Sequence, residues 1–159
     1  MNRILANDYV NWTLRTVVGL VLIVAAIDKV ADPAAFASSI DNYRLLPEAL
    51  TLGLATILPW IELMTGLCIL FGALRQGAAL LASGLFALFI AVMFTALARG
   101  LDIACGCFTQ DPDVGMVGWM RILENAGLLV ASLLIYRSEN STFSVEEYIE
   151  RQASRRDTV

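Results

Sequence analysis

The stretch "QGAALLASGLFALFIAVMFTALA", residues 76–98, decides the fold. No charged side chain interrupts it between Arg75 and Arg99. As a helix rising ~1.5 Å per residue, it covers the ~30 Å hydrocarbon core of a bilayer. The whole chain of 159 residues agrees with that reading. It is 58 % hydrophobic with a mean hydropathy of +0.69, above the ~45–50 % apolar content of a water-soluble domain.

Three more spans flank it. "ALTLGLATILPWIELMTGLCILFGAL", residues 49–74, is broken only by Glu62. "VNWTLRTVVGLVLIVAAI", residues 10–27, carries Arg15 near its start, and "GWMRILENAGLLVASLLIY", residues 118–136, carries Arg121 and Glu124 in its first turns. The expectation is an all-α integral membrane four-helix bundle in one domain, with spans near 10–30, 49–74, 76–98 and 116–136. "AFA" before Ser38 imitates a signal-peptide cleavage site. A leader that long, with Arg15 inside its apolar region, fits poorly, so the first span is read as retained. Between the first two spans, Asp32-Pro33 signals a helix start, and Ala35, Phe36, Ile40, Tyr43 and Leu46 recur at helical spacing. A short amphipathic helix over about 33–46, lying on the membrane surface, is expected there. A polar tail covers 138–159.

The net charge of −4 comes without a dispersed basic patch, so nucleic acid is not an expected partner. The chain has no histidine. That removes histidine-ligated haem, His-containing zinc sites and His-dependent nucleophiles. Lipid is the expected surrounding. Seven of the 11 Lys and Arg residues (Arg3, Arg15, Arg75, Arg137, Arg151, Arg155 and Arg156) fall on the side holding both termini. Lys29, Arg44, Arg99 and Arg121 fall on the other. This asymmetry favours cytoplasmic termini in a plasma membrane and an outward 99–118 loop.

That loop holds "CGC", with Cys105 and Cys107 flanking Gly106. Three chemistries compete. A redox-active pair would exchange disulfides through a tight, strained ring that Gly106 permits, and strain eases reduction. A structural disulfide would close so short a loop that it gains little entropy. Two thiolates would also take a soft metal such as Cu(I) or mercury, as in a carrier that captures its ligand outside the membrane. Cationic Lys29, Arg99 and Arg121 are expected beside the loop, where they would favour the thiolate, while the preceding helix C-terminus opposes them. Cys68, within the second span, reads first as a small buried hydrophobe and otherwise as an inward electron relay. Glu62 lies mid-span, where a charge marks function, and its expected partner is Arg15 or Lys29. Pro59 and Gly66 around it suggest a kink and a close helix approach.

Taken together, "RTVVGLVLIVAAIDKVADPAAFASSIDNYRLLP", "LPWIELMTGLCILFG", "ALARGLDIACGCF" and "GWMRILENAGLL" resemble the MauE branch of the DoxX-like membrane proteins, over about residues 12–136. The resemblance implies four membrane helices and a periplasmic thiol pair at Cys105 and Cys107. It further implies a thioredoxin-like periplasmic partner and a link to the maturation of disulfide-rich methylamine dehydrogenase. Lys29, Glu62, Arg99, Arg121 and Asn125 then become supporting polar positions. Glu124-Asn125 stands where Arg-Asn is expected, which passes the arginine's role to Arg121. No cofactor is required by the residues, and a membrane quinone is the candidate electron acceptor.

The topology has a direct test. A membrane-impermeant maleimide applied to intact cells is expected to label reduced Cys105 or Cys107 and to spare Cys68. Labelling that appears only after the membrane is opened would invert the orientation.

Overall fold

The computed structural model describes residues 8–43, 47–100 and 119–138. Every regular element among them is an α-helix: α1 (Asp8–Ala31), α2 (Pro33–Asn42), α3 (Glu48–Phe71), α4 (Arg75–Ala98) and α5 (Trp119–Arg137). All but α2 are long and apolar enough to cross a membrane, so the expected multi-pass helical fold is the fold observed. Leu52, Leu80, Leu123 and Val130 are each more than half exposed, a surface that suits lipid and not water.

The closest pairings are α1 with α3 and α4 with α5. The first is set by two glycines. A Cβ added to Gly66 would lie 2.9 Å from the Gly19 carbonyl oxygen, and one added to Gly19 would lie 3.0 Å from that of Gly66. Lipid gives apolar helices no hydrophobic reason to associate, so backbone approach of this kind supplies the dispersion contacts instead. Around that crossing Val18, Leu22, Ile69, Ala79, Ala82, Phe86 and Ile135 form the core. The second pairing carries a polar clip: Ser83 Oγ donates to the Ala79 carbonyl at 2.8 Å and lies 2.9 Å from Ser132 Oγ on α5.

Helix α3 stops at Phe71, short of the end of its apolar run, because Gly72 adopts a left-handed conformation (φ 69°). The Gly72 and Ala73 amides turn back to the Ile69 and Cys68 carbonyls at 3.3 and 3.0 Å, closing the helix end. Arg15 completes this cap from α1. Its Nε donates to the Ile69 carbonyl at 3.1 Å and its Nη2 to the Leu70 carbonyl at 3.4 Å. A cation against the negative end of a helix is a favourable placement. Arg15 is buried and donates to these α3 carbonyls, while both Glu62 oxygens are engaged by Lys29. Nearby, Asn11 and Arg75 both donate to Ser138 Oγ, joining the same ends of α1, α4 and α5.

The helix between the first two spans begins where Asp32-Pro33 predicts, with the Asp32 carboxylate accepting from the Ala35 amide at 2.9 Å. Its buried residues are Phe36 and Ser39, with Tyr43 at its C-cap, and that face rests on the bundle. Residues 44–46, the expected last turn, lie outside the described residues.

The glycine crossing predicts that Gly66→Ala will lower stability by about 1–3 kcal/mol through overpacking. Gly84→Ala should be close to neutral, because nothing lies within 4 Å of its added Cβ. Denaturation of the purified protein in mixed micelles checks both. Equal stability of the two variants would refute the close crossing.

Candidate functional site

Lys29 sits in the last turn of α1. Glu62 reaches it from α3. Lys29 Nζ lies 2.7 Å from Oε1 and 2.6 Å from Oε2 of Glu62, with side-chain exposures of 1 % and 0 %. Of the two partners expected for Glu62, the fold uses Lys29. Two rings cover the ammonium: Phe36 of α2 with its centroid at 5.1 Å and Phe89 of α4 at 5.0 Å. Their faces are negative, so they replace part of the hydration that burial removes. Asn125 of α5 is fully buried and lines, with Glu62, Phe86 and Phe89, a cavity of about 10 Å³. Each of the five helices thus places a side chain on or beside one ion pair.

Asn125 donates through Nδ2 to the Arg121 carbonyl at 2.9 Å, while its Oδ1 is buried without a hydrogen-bond partner among the described residues. The cations expected to gather beside the Cys-Gly-Cys segment take separate partners. Lys29 turns inward to Glu62. Arg99 Nη1 donates to the Tyr43 carbonyl at 2.9 Å, and Arg121 pairs with Glu124 at 2.9 Å on the partly exposed face of α5. Burial pushes the Tyr43 phenol up to about 12, so this hydroxyl stays neutral at physiological pH. Cys68 is half-buried with a free thiol and packs against the core. Cys105 and Cys107 lie outside the described residues. The helices on either side of them end at Ala98 and begin at Trp119.

Chemically, the site is a closed charge pair. Both Glu62 oxygens are engaged by Lys29, and no group of three or more His, Cys, Asp or Glu side chains among the described residues is arranged for a metal. Sequence reasoning singled out Lys29, Glu62 and Asn125 but not the aromatic cover. Phe36 stands out in the sequence only as part of the apolar face of the 33–46 helix and Phe89 only as part of the third span, and the fold brings both over the same ammonium. Arg75 was read as a flanking charge and is buried at 5 % exposure.

Residues 7–138 match the family model for methylamine utilisation protein MauE. The chain belongs to the MauE family. It is 34 % identical over 140 residues to a methylamine utilization protein MauE of Methylophilus methylotrophus, covering 86 % of this chain and 74 % of that relative. The corresponding proteins of Paracoccus denitrificans and Methylorubrum extorquens are 30 % and 35 % identical, over 82 % and 81 % of this chain and 70 % and 69 % of theirs. No solved structure matches the chain. The MauE match includes the ion pair, Asn125 and the 101–118 segment.

Removing one partner of the pair strands a buried charge. Glu62→Leu or Lys29→Met alone is expected to cost about 3–5 kcal/mol in micelle denaturation. The double variant should regain most of that loss, and single variants with wild-type stability would show that the pair is open to water.

Proposed function

We propose that this MauE protein is the membrane component of a thiol–disulfide exchange system used in methylamine utilisation, and that Cys105 and Cys107 are its reactive pair. The step balances on its own. A partner thiolate attacks the Cys105–Cys107 disulfide, forming a mixed disulfide and releasing one thiolate of the pair. The partner's second thiol then attacks the mixed disulfide, leaving a partner disulfide and a reduced pair. Run backwards, the same exchange reduces the partner. The partner class is a thioredoxin-like protein of the periplasm, which requires the 101–118 segment of an inner-membrane protein to face outward. For net oxidation of the partner, a membrane quinone takes the two electrons and two protons from the reduced pair.

The observation that carries this reading is the pairing of a MauE sequence, whose relatives are named for methylamine utilization, with a Cys-Gly-Cys in the segment joining α4 to α5. Strain in so short a disulfide ring keeps its potential above the roughly −300 mV limit of structural disulfides, which suits exchange. Against a soft-metal carrier stands the closed state of Glu62. A carboxylate bound through both oxygens and shut from solvent lines no path.

With Cys105 or Cys107 singly changed to Ala, the remaining thiol is expected to trap a covalent adduct with a thioredoxin-like protein, sensitive to reductant. Both single variants should lose exchange, whereas Cys68→Ala should retain it. A pair that forms no disulfide at any redox poise, yet binds Cu(I) stoichiometrically, would replace this reading with the carrier.

A further inference from the structure

The side-chain amide of Asn125 is half satisfied. Its Nδ2 donates to the Arg121 carbonyl at 2.9 Å, which fixes the amide, since the flipped group would set two oxygens against each other. Oδ1 has no hydrogen-bond partner among the described residues, and Asn125 is 0 % exposed. Bulk water does not reach this oxygen, so leaving it bare costs the full desolvation of a strong acceptor. An orphan of this kind in a native interior calls for a partner.

Asn125 also lines the cavity of about 10 Å³ beside the ion pair. Glu62 lines it from α3, Val21 and Ala25 from α1, and Phe86 and Phe89 from α4. Helix α5 packs chiefly on α4 and is not a close neighbour of α3, so the two polar residues of the cavity come from helices set apart in the bundle. The size of the cavity selects its ligand. A volume of roughly 10–15 Å³ is the least that admits one water, and nothing larger enters. Charge selects as well. Lys29 and Glu62 cancel, so neither an anion nor a cation is favoured. Each Glu62 oxygen takes one hydrogen bond from Lys29 and keeps a second lone pair. A wholly apolar cavity stays dry, but two acceptors within reach of one molecule change the balance. The hydrogen bonds of a bridging water then outweigh its immobilisation.

We propose that this cavity binds one water molecule, which donates one hydrogen to Asn125 Oδ1 and the other to a Glu62 carboxylate oxygen. Asn125 thereby joins α5 to the α1–α3 ion pair through the water and not by direct contact. The site stands apart from the thiol chemistry and holds whether or not Cys105 and Cys107 exchange disulfides.

Nuclear magnetic resonance of the full chain in micelles, with isotope-labelled asparagine, tests the site. The Asn125 side-chain amide, identified by its loss in Asn125→Leu, is expected to show a cross-peak to water. That cross-peak should have opposite signs in laboratory-frame and rotating-frame Overhauser spectra, which distinguishes a bound water from proton exchange. Val21→Ile adds a methylene to the cavity wall and should expel the water. The cross-peak is then lost while the amide resonance persists, and the thermal unfolding midpoint falls. In the Asn125→Leu background, where no acceptor is stranded, the same substitution should leave the midpoint unchanged or raise it. A wild-type protein without the cross-peak would overturn the proposal, as would a cross-peak that survives both Val21→Ile and Ala25→Val. An equal fall of the midpoint in both backgrounds would signify overpacking of a dry cavity and would overturn it too.

Discussion

A single ion pair constrains the rest of this protein. An unpaired Lys29 or Glu62 at these depths would cost on the order of 3 kcal/mol even on the lenient scale of membrane insertion. Joined at 2.6–2.7 Å, the two charges cancel, and the helices that carry them are tied together. The Gly19–Gly66 crossing brings the backbones close enough for both side chains to reach along the α1–α3 interface. Phe36 then explains why α2 folds back onto the bundle: its ring covers an ammonium that would otherwise face an incompletely filled site. Phe89 brings α4 to the same point, and Asn125 brings α5.

The polar groups sort to two ends of the bundle, and the two ends do different physical work. At the Gly72 end, arginines satisfy helix carbonyls and a serine hydroxyl: Arg15 caps α3, and Arg75 anchors on Ser138. At the other end, Arg99 holds the Tyr43 carbonyl and thereby joins the close of α2 to the close of α4. The 101–118 segment starts from that fixed corner and returns to α5.

This arrangement separates scaffold from chemistry. Glu62 is the most conspicuous ionisable group in the membrane interior, yet its engagement by Lys29 makes it a positioning group and not an exposed base. The chemistry proposed for this MauE protein lies in three residues outside that scaffold, Cys105-Gly106-Cys107. The bundle contributes placement and a closed ion pair in its interior.

Hydropathy alone determined the all-α membrane fold, because an uninterrupted apolar run in lipid has no alternative to a helix that satisfies its own backbone. The Asp32-Pro33 start of α2 was equally legible, since an N-cap is a local interaction between a side chain and amides three residues away. The significance of Glu62 was legible too, because a mid-span charge is conspicuous whatever its partner. Its choice of Lys29 over Arg15 was not. That choice depends on how far α1 slides along α3, which the Gly19–Gly66 contact sets, and on the competing carbonyls of Ile69 and Leu70, which engage Arg15. Likewise nothing local marks Phe36 and Phe89 as a pair, or Arg75 as buried. Those are long-range placements made by packing, and only the tertiary structure decides them.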